Sequence, residues 1–371
     1  MVEDTKVALI NDQHIFSGVY TETYRMFLNL KRHGIKCNFY QLLLSAKGFS
    51  PTGDVKVRYG YLSKFESNSK FLYNSKLALN FLTGRNWRQF KDVDGRVVIL
   101  SGPSLLPLTS YFKTTIVEGH DLYFSYDGHK SGVLGAYMQR MYRQFKNATH
   151  IIANSEFTKR EFIAILGIDP ENISVVYPSF DEFPVFMARN EIRSKLNVDI
   201  DSILLLSVGG DNRNKNIETI VRLMKFLPNN YILIRVGRNY NVSKLIKELD
   251  LEKRIIKLGN IDESLLAQLY SGTDIFLFPS IFEGFGSPVV EAMSFGLPVI
   301  ASSMAALPEV VGGAGFLCDP FDIDCWKDKI LSLATDEHLY NLAKEKGINR
   351  AHYFSAENQY LSLMKVLGKL I

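Results

Sequence analysis

Glu283 and Glu291 bracket a glycine-rich stretch, Glu283-Gly284-Phe285-Gly286-Ser287-Pro288-Val289-Val290-Glu291. Carboxylates do not hold phosphate, but ionised ones accept strong hydrogen bonds from hydroxyls. The turn between them suits the opposite task. Gly284 and Gly286 permit a tight loop, Ser287 is expected as the helix N-cap and Pro288 as the first helical residue. The amides of Phe285, Gly286 and Ser287 then emerge at a helix N-terminus, which favours phosphate. A phosphate site flanked by two carboxylates fits a diphosphate with hydroxyl-bearing groups at both ends, as in a nucleotide sugar. Without the glycines and the strand before them, the same two acids would be charges on a solvated helix face.

Two further stretches have the same placement. Val208-Gly209-Gly210-Asp211-Asn212-Arg213-Asn214-Lys215-Asn216 follows an apolar run and opens a helical pattern, a place for phosphates in a parallel sheet. Lys215, with Arg213 nearby, would stabilise charge developing on a leaving diphosphate; otherwise they are solvated cations on a surface loop. Ile116-Val117-Glu118-Gly119-His120-Asp121-Leu122 sets His120 directly after another strand, as a structural histidine or one that faces a ligand.

The elements that must position these residues are legible as apolar runs alternating with helical patterns, which argues for parallel sheets covered by helices. In the first half strands are expected at Val7–Ile10, Cys37–Gln41, Val97–Leu100, Thr115–Val117 and His150–Ala153, with a helix from Tyr20 ending near Gly34. In the second half the runs are Ile203–Val208, Tyr231–Val236, Asp274–Pro279 and Pro298–Ala301, and a helix should run from Pro288 to about Phe295, capped by Gly296. Pro178–Pro184 has the proline and acid content of a linker. The 371 residues therefore divide into two doubly wound α/β domains facing a central cleft, with ligands at the carboxyl ends of strands.

Composition narrows the class. The chain is 46% hydrophobic and 22% charged, ordinary for a soluble globular protein, and no apolar stretch approaches the ~20 residues of a membrane span. The N-terminus shows no signal-peptide pattern. Three sparse cysteines, Cys37, Cys318 and Cys325, argue against a disulfide framework and for a cytoplasmic setting. A net charge of +4 does not imply nucleic acid, and no nucleic-acid partner is expected. Residues 56–91 concentrate cations and aromatics with Glu66 as the only acid among the cations from Lys56 to Lys91. They form either solvated faces over a core or a surface for an acceptor or an anionic membrane, which Arg140, Arg143 and Lys146 could extend.

The stretch Glu283–Glu291 resembles the E-x7-E signature of the large retaining glycosyltransferase family 4, whose fold is GT-B: two Rossmann-like doubly wound domains. Leu265–Ser271 resembles the helix before that family's donor strand, Leu307-Pro308-Glu309-Val310-Val311-Gly312 its "PEVVG" turn, and Asn154-Ser155-Glu156-Phe157-Thr158 a segment that closes its first domain. The resemblance is strong over residues 150–325 and weak over the first 120. It implies a domain for the acceptor at 1–183, one for the nucleotide sugar at 184–353, and a C-terminal helix over 354–371 that crosses back. It implies a hexosyltransferase that retains anomeric configuration, uses a nucleoside diphosphate sugar as co-substrate and needs no metal or other cofactor. The acceptor would be a glycan or a lipid-linked molecule, and the enzyme cytoplasmic or peripheral on the cytoplasmic membrane face.

The resemblance also implies roles. His120, Glu283 and Lys215 would be catalytic, with His120 facing the transferred sugar. Donor contacts would come from Gly18, Gly209, Arg213, Lys215, Gly237, Glu283, Phe285, Gly286, Ser287 and Glu291, with Glu291 on the ribose. The arginine of the family's cationic run is replaced here by Asn214, and its usual leucine by Ser287. A sugar-nucleotide epimerase, a phosphorylase or a non-catalytic binding protein on the same scaffold are the alternatives. Asp92-Val93-Asp94, Asp199-Ile200-Asp201 and Asp322-Ile323-Asp324 each read Asp-x-Asp, the metal-holding pattern of the other main glycosyltransferase fold; three unrelated copies read as chance. There is no Walker A sequence, and no GxGxxG follows the first strand.

Overall fold

The computed structural model describes residues 6–12, 17–43, 55–59, 90, 92–126, 132–180, 188–238 and 242–371. The chain divides into two compact units, one formed by Met1–Ser179 with Ala356–Ile371, the other by Phe180–Ser355.

The first unit is built on a parallel sheet of β1 (Val7–Asn11), β2 (Cys37–Leu43), β3 (Val55–Tyr59), β4 (Val97–Leu100), β5 (Thr115–Gly119), β6 (His150–Ala153) and β7 (Ile173–Val175). Their order is β3-β2-β1-β4-β5-β6-β7. β1, β4 and β5 are buried along their whole length, as central strands of a sheet covered on both faces are. Val7, Leu9, Ile99 and Ile116 pack with Phe27 and Leu30 of the helix Gly18–Arg32 and with Leu363, Val366 and Leu367 of the helix Ala356–Leu370. Ala8, Ile10, Val98, Leu100 and Val117 belong to the core cluster that contains Leu105, Phe145 and Phe162. Ser17 caps the helix Gly18–Arg32, and Gly34 turns the chain with φ +76° into β2.

The second unit repeats the plan with β8 (Ile203–Val208), β9 (Tyr231–Val236), β10 (Ile255–Gly259), β11 (Ile275–Phe278), β12 (Val299–Ser302) and β13 (Phe316–Cys318), in the order β10-β9-β8-β11-β12-β13. In both sheets the chain winds outward from the first strand and then returns to its other side. The switch points are therefore β1/β4 and β8/β11, where open α/β sheets bind ligands at the strands' carboxyl ends. One tie sets the β8/β11 junction. The buried Asp274 accepts from the Leu204 amide at 2.7 Å and from Arg193 Nη2 at 2.5 Å, and it is also paired with Arg189.

Two expectations need correction. Cys318 and Cys325 form a disulfide. Cys318 ends β13 and Cys325 is the third residue of the helix Ile323–Thr335, so one tight turn brings their Cα atoms to 5.9 Å. Nor is Ser287 an N-cap. Gly286, at φ +106°, takes that position without a side-chain bond, and the helix runs Ser287–Ser294 with Pro288 second. The chain turns at the one residue without a Cβ, so the helix starts one residue early. A side chain there would also meet Leu307 Cδ2 at 2.7 Å.

The Asp-x-Asp copies have structural work. Asp92 and Asp94 pair with Arg58 and Lys6, Asp322 caps the helix Ile323–Thr335, Asp324 pairs with Lys327, and the Asp199 carbonyl accepts from the Ser202 amide. Of the basic aromatic stretch 56–91, β3 places Lys56 and Arg58 against the ring of Tyr40, and Phe90 is buried in the core; residues 60–89 and 91 lie outside the described residues. Residues 181–187, most of the expected linker, lie outside them too. No helix among the described residues is long and apolar enough to cross a membrane.

Candidate functional site

At the β8/β11 switch point two loops of the second unit are bound to each other. The loop after β8 carries Gly209 to Asn216, and the loop after β11 carries Pro279 to Gly286. Ile281 N donates to Asn214 O at 2.8 Å, Asn214 Nδ2 to Phe282 O at 3.4 Å, and Asn216 Nδ2 to Pro279 O at 3.2 Å and Pro320 O at 2.9 Å. Asn214 is therefore a bridge between loops. Asn216 adopts φ +50°, a conformation asparagine tolerates better than most residues, and this ends the 3₁₀ turn Arg213–Lys215 and starts the next helix.

The lashing brings two of the sequence-predicted residues together. Lys215 Nζ lies 2.6 Å from Glu283 Oε1 and 5.5 Å from the centre of the Phe278 ring. The lysine side chain is 23% exposed and the glutamate 13%, so the pair sits at the mouth of the loops, within reach of solvent. Arg213 is exposed on the same turn. Phe285 is buried and stacks on Phe180 at 6.1 Å and edge-on to Phe354 at 5.2 Å; its ring anchors the loop and only its backbone is available to a ligand. Glu291, on the second turn of the helix Ser287–Ser294, accepts from the buried Tyr270 hydroxyl at 2.9 Å.

Gly209 and Gly237, far apart in sequence, touch. A Cβ on Gly237 would stand 2.3 Å from Gly209 O, and both take positive φ, +108° and +133°. The end of β9 also holds a residue for which sequence reasoning has no motif. Arg235 is fully buried on β9 and donates to Ser207 O and Oγ at 2.9 Å and to Gly209 O at 2.8 Å. Burial lowers its pKa to about 10, with Asp211 acting in the opposite direction. The cation stitches the end of β8 and its glycine loop to β9. Its only signal in sequence is a charge inside an apolar run, Tyr231-Ile232-Leu233-Ile234-Arg235-Val236.

In the first unit, Gly18 is the first residue of the helix Gly18–Arg32, and a Cβ there would meet open space. Four residues on, one helical turn, Glu22 reaches His120, with Oε2 at 3.2 Å from Nδ1. The other ring nitrogen, Nε2, lies 2.9 Å from Ser101 O and 3.6 Å from Glu118 Oε2. Burial works against a charged imidazole here, but the bonds to Glu118 and Glu22 outweigh it and hold the pKa well above the usual histidine value. Neither glutamate was selected from sequence, although Glu118 stands two residues before His120, on the strand that delivers it, and Glu22 one turn after Gly18.

Comparison with known proteins follows this division. Residues 25–182 match the model for Glycosyltransferase Family 4, and residues 188–350 match the model for Glycosyl transferases group 1. O-antigen chain mannosyltransferase B of Escherichia coli is 31% identical over 234 residues, which are 60% of this chain and 61% of that one; the match thus spans about six-tenths of the relative's length. Among solved structures, sucrose-phosphate synthase from Thermosynechococcus elongatus superposes with a TM-score of 0.82 at 18% identity, covering 99% of both chains. Anabaena HepE in complex with UDP and glucose gives 0.76 at 18% identity, covering 99% of this chain and 100% of that one. Two parallel Rossmann-like sheets, these structural neighbours and two family models that divide most of the sequence between them lead to one conclusion: the chain belongs to the GT-B glycosyltransferases.

Proposed function

We propose that the protein transfers a hexose from a nucleoside diphosphate sugar to a glycan or lipid-linked acceptor, with retention of anomeric configuration. The observation that carries this reading is the Lys215–Glu283 pair at the β8/β11 switch point, beside the start of the helix Ser287–Ser294. A diphosphate there would take Lys215 as counter-charge and the amides around Gly286 as hydrogen-bond donors. Glu283 would then accept from a hydroxyl of the hexose and Glu291 from a hydroxyl of the ribose. Gly209 leaves room for backbone approach, Gly237 lets the end of β9 close against Gly209, Arg213 adds charge at the rim, and Gly18 does the same service as Gly209 on the first unit. His120 would face the transferred sugar. Support comes from the relatives: a mannosyltransferase in sequence, and a protein solved with UDP and glucose in structure.

Neither metal nor other cofactor enters this scheme, because Lys215 and the helix amides are assigned the charge of the leaving group. The test is a transfer assay with UDP-, GDP- and ADP-hexoses and pooled glycan and lipid-linked acceptors, with product anomers read by NMR. We expect one donor to give a product of the donor's own configuration, at a rate unchanged by EDTA. An inverted product would refute retention, and an epimerised nucleotide sugar formed without acceptor would establish the epimerase instead.

A further inference from the structure

The most concentrated group of acids around a histidine among the described residues is the Glu22–His120–Glu118 cluster of the first unit, and its bonding fixes more than the position of the ring. Ser101 O can only accept, so His120 Nε2 at 2.9 Å must carry a proton. Nδ1 faces Glu22 Oε2 at 3.2 Å, and a nitrogen lone pair against a carboxylate would be two acceptors in contact. A proton must therefore lie between them. Glu118 decides where the charge sits. It is buried, its Oε2 lies 3.6 Å from Nε2 and accepts from Thr23 Oγ1 at 2.6 Å, and its Oε1 has no hydrogen-bond partner.

A carboxylate held out of water with one oxygen unsatisfied is costly unless a positive charge stands beside it. The described residues that line the site with Glu22, Glu118 and His120 add acceptors and no cation. Asn154 Oδ1 is likewise buried without a partner, and Asn154, Glu22, Glu118 and His120 line one small cavity of about 20 Å³. The charged groups bearing on the ring are Glu22, from the helix Gly18–Arg32, and Glu118, from β5. The helix Glu156–Leu166 contributes the neutral Thr158, whose hydroxyl donates to His120 O at 3.3 Å, and the C-terminal helix contributes the neutral Gln359.

We propose that Glu22 and Glu118 are positioning residues that hold His120 as a doubly protonated imidazolium, whose two N–H groups are spent on Ser101 O and Glu22, so that it serves the transferred sugar as a fixed positive charge and not as a base. The part that concerns the sugar rests on the glycosyltransferase reading above; the charge state stands on the cluster alone. In a reaction that needs this charge, activity falls on the alkaline side as His120 loses its proton. Removing either carboxylate moves that fall to lower pH.

Two readouts test it on the full chain. In ligand-free protein, ¹⁵N NMR of the histidine rings, with His120 assigned by its loss in His120→Gln, should show an imidazolium at about pH 7.5. Glu22→Gln and Glu118→Gln should each lower its titration midpoint by about one unit or more, and Glu22→Asp should restore most of the shift. The alkaline limb of kcat/KM should move in step. Glu118→Gln keeps an acceptor for Thr23; should it fail to fold, Glu22→Gln, nearer the surface, carries the comparison alone. A neutral His120 in the wild type near neutral pH, or a midpoint that Glu22→Gln leaves in place, overturns the proposal. A cationic His120 in a chain that transfers no sugar would sink the transferase reading and leave the charge assignment standing.

Discussion

Lys215→Ala is expected to lower turnover by about 10²–10³-fold, the range for removing one preorganised group that stabilises transition-state charge. The lysine is fixed by the turn Arg213–Lys215, by the Asn216 bonds to Pro279 and Pro320, and by Glu283 at 2.6 Å. It pays little reorganisation when a diphosphate arrives. The fold should survive, because the pair lies at the loops' mouth and the interloop bonds of Asn214 and Asn216 do not involve the lysine side chain. Lys215→Arg should recover part of the rate, since charge is kept and geometry is not. Steady-state kinetics check this: kcat should fall with KM for the acceptor little changed. A variant within threefold of wild type would remove Lys215 from the chemistry.

Asp274→Ala is expected to be the most destabilising single change in the second unit, at about 3–5 kcal/mol. The aspartate is buried and holds Arg193, itself buried, together with the Leu204 amide at the start of β8 and Arg189. Deleting it leaves the Arg193 guanidinium in the interior with only carbonyls of Arg189, Ser202 and Gly272. For a unit of this size the loss corresponds to a fall in Tm on the order of 10 °C. Arg193→Met in the same background should recover part of it, because an apolar side chain needs no partner. Urea midpoints for the single and double variants measure the coupling. A single variant as stable as wild type would show that the tie between β8 and β11 does not depend on this carboxylate.

How far the sequence reveals this molecule varies with what each residue depends on. Central strands such as Ile203–Val208 and Tyr231–Val236 are legible because burial on both faces demands nearly continuous apolar runs. The edge strands β3, β7, β10 and β13 are not, since they pair on one side only and interpose polar or exposed residues, as in Val55-Lys56-Val57-Arg58-Tyr59. Each half of the candidate site is similarly visible alone. Lys215 and Glu283 were selected from glycine and strand context, but that one reaches the other depends on Asn214 and Asn216 bonding across loops. Asn214 looked like a lost arginine because its partner, the carbonyl of Phe282, is a backbone atom that no spacing rule registers. Arg235, Glu22 and Glu118 were missed for a related reason. Arg235 acts on backbone oxygens, Glu22 on a residue distant in sequence, and Glu118 on the distant Thr23 as well as on its near neighbour His120; a charge in a buried run looks like noise until such partners are placed.

The most direct test of the donor site is binding, measured by isothermal titration of UDP-, GDP- and ADP-sugars into wild-type protein, Lys215→Ala and Glu291→Ala. The donor site described here predicts saturable binding of one nucleotide class to the wild type. Affinity should fall at least tenfold for each variant, and for Lys215→Ala the loss should be larger with the diphosphate sugar than with the nucleoside alone. Equal affinity of all three proteins for the donor, or no binding of any nucleotide sugar, would contradict it.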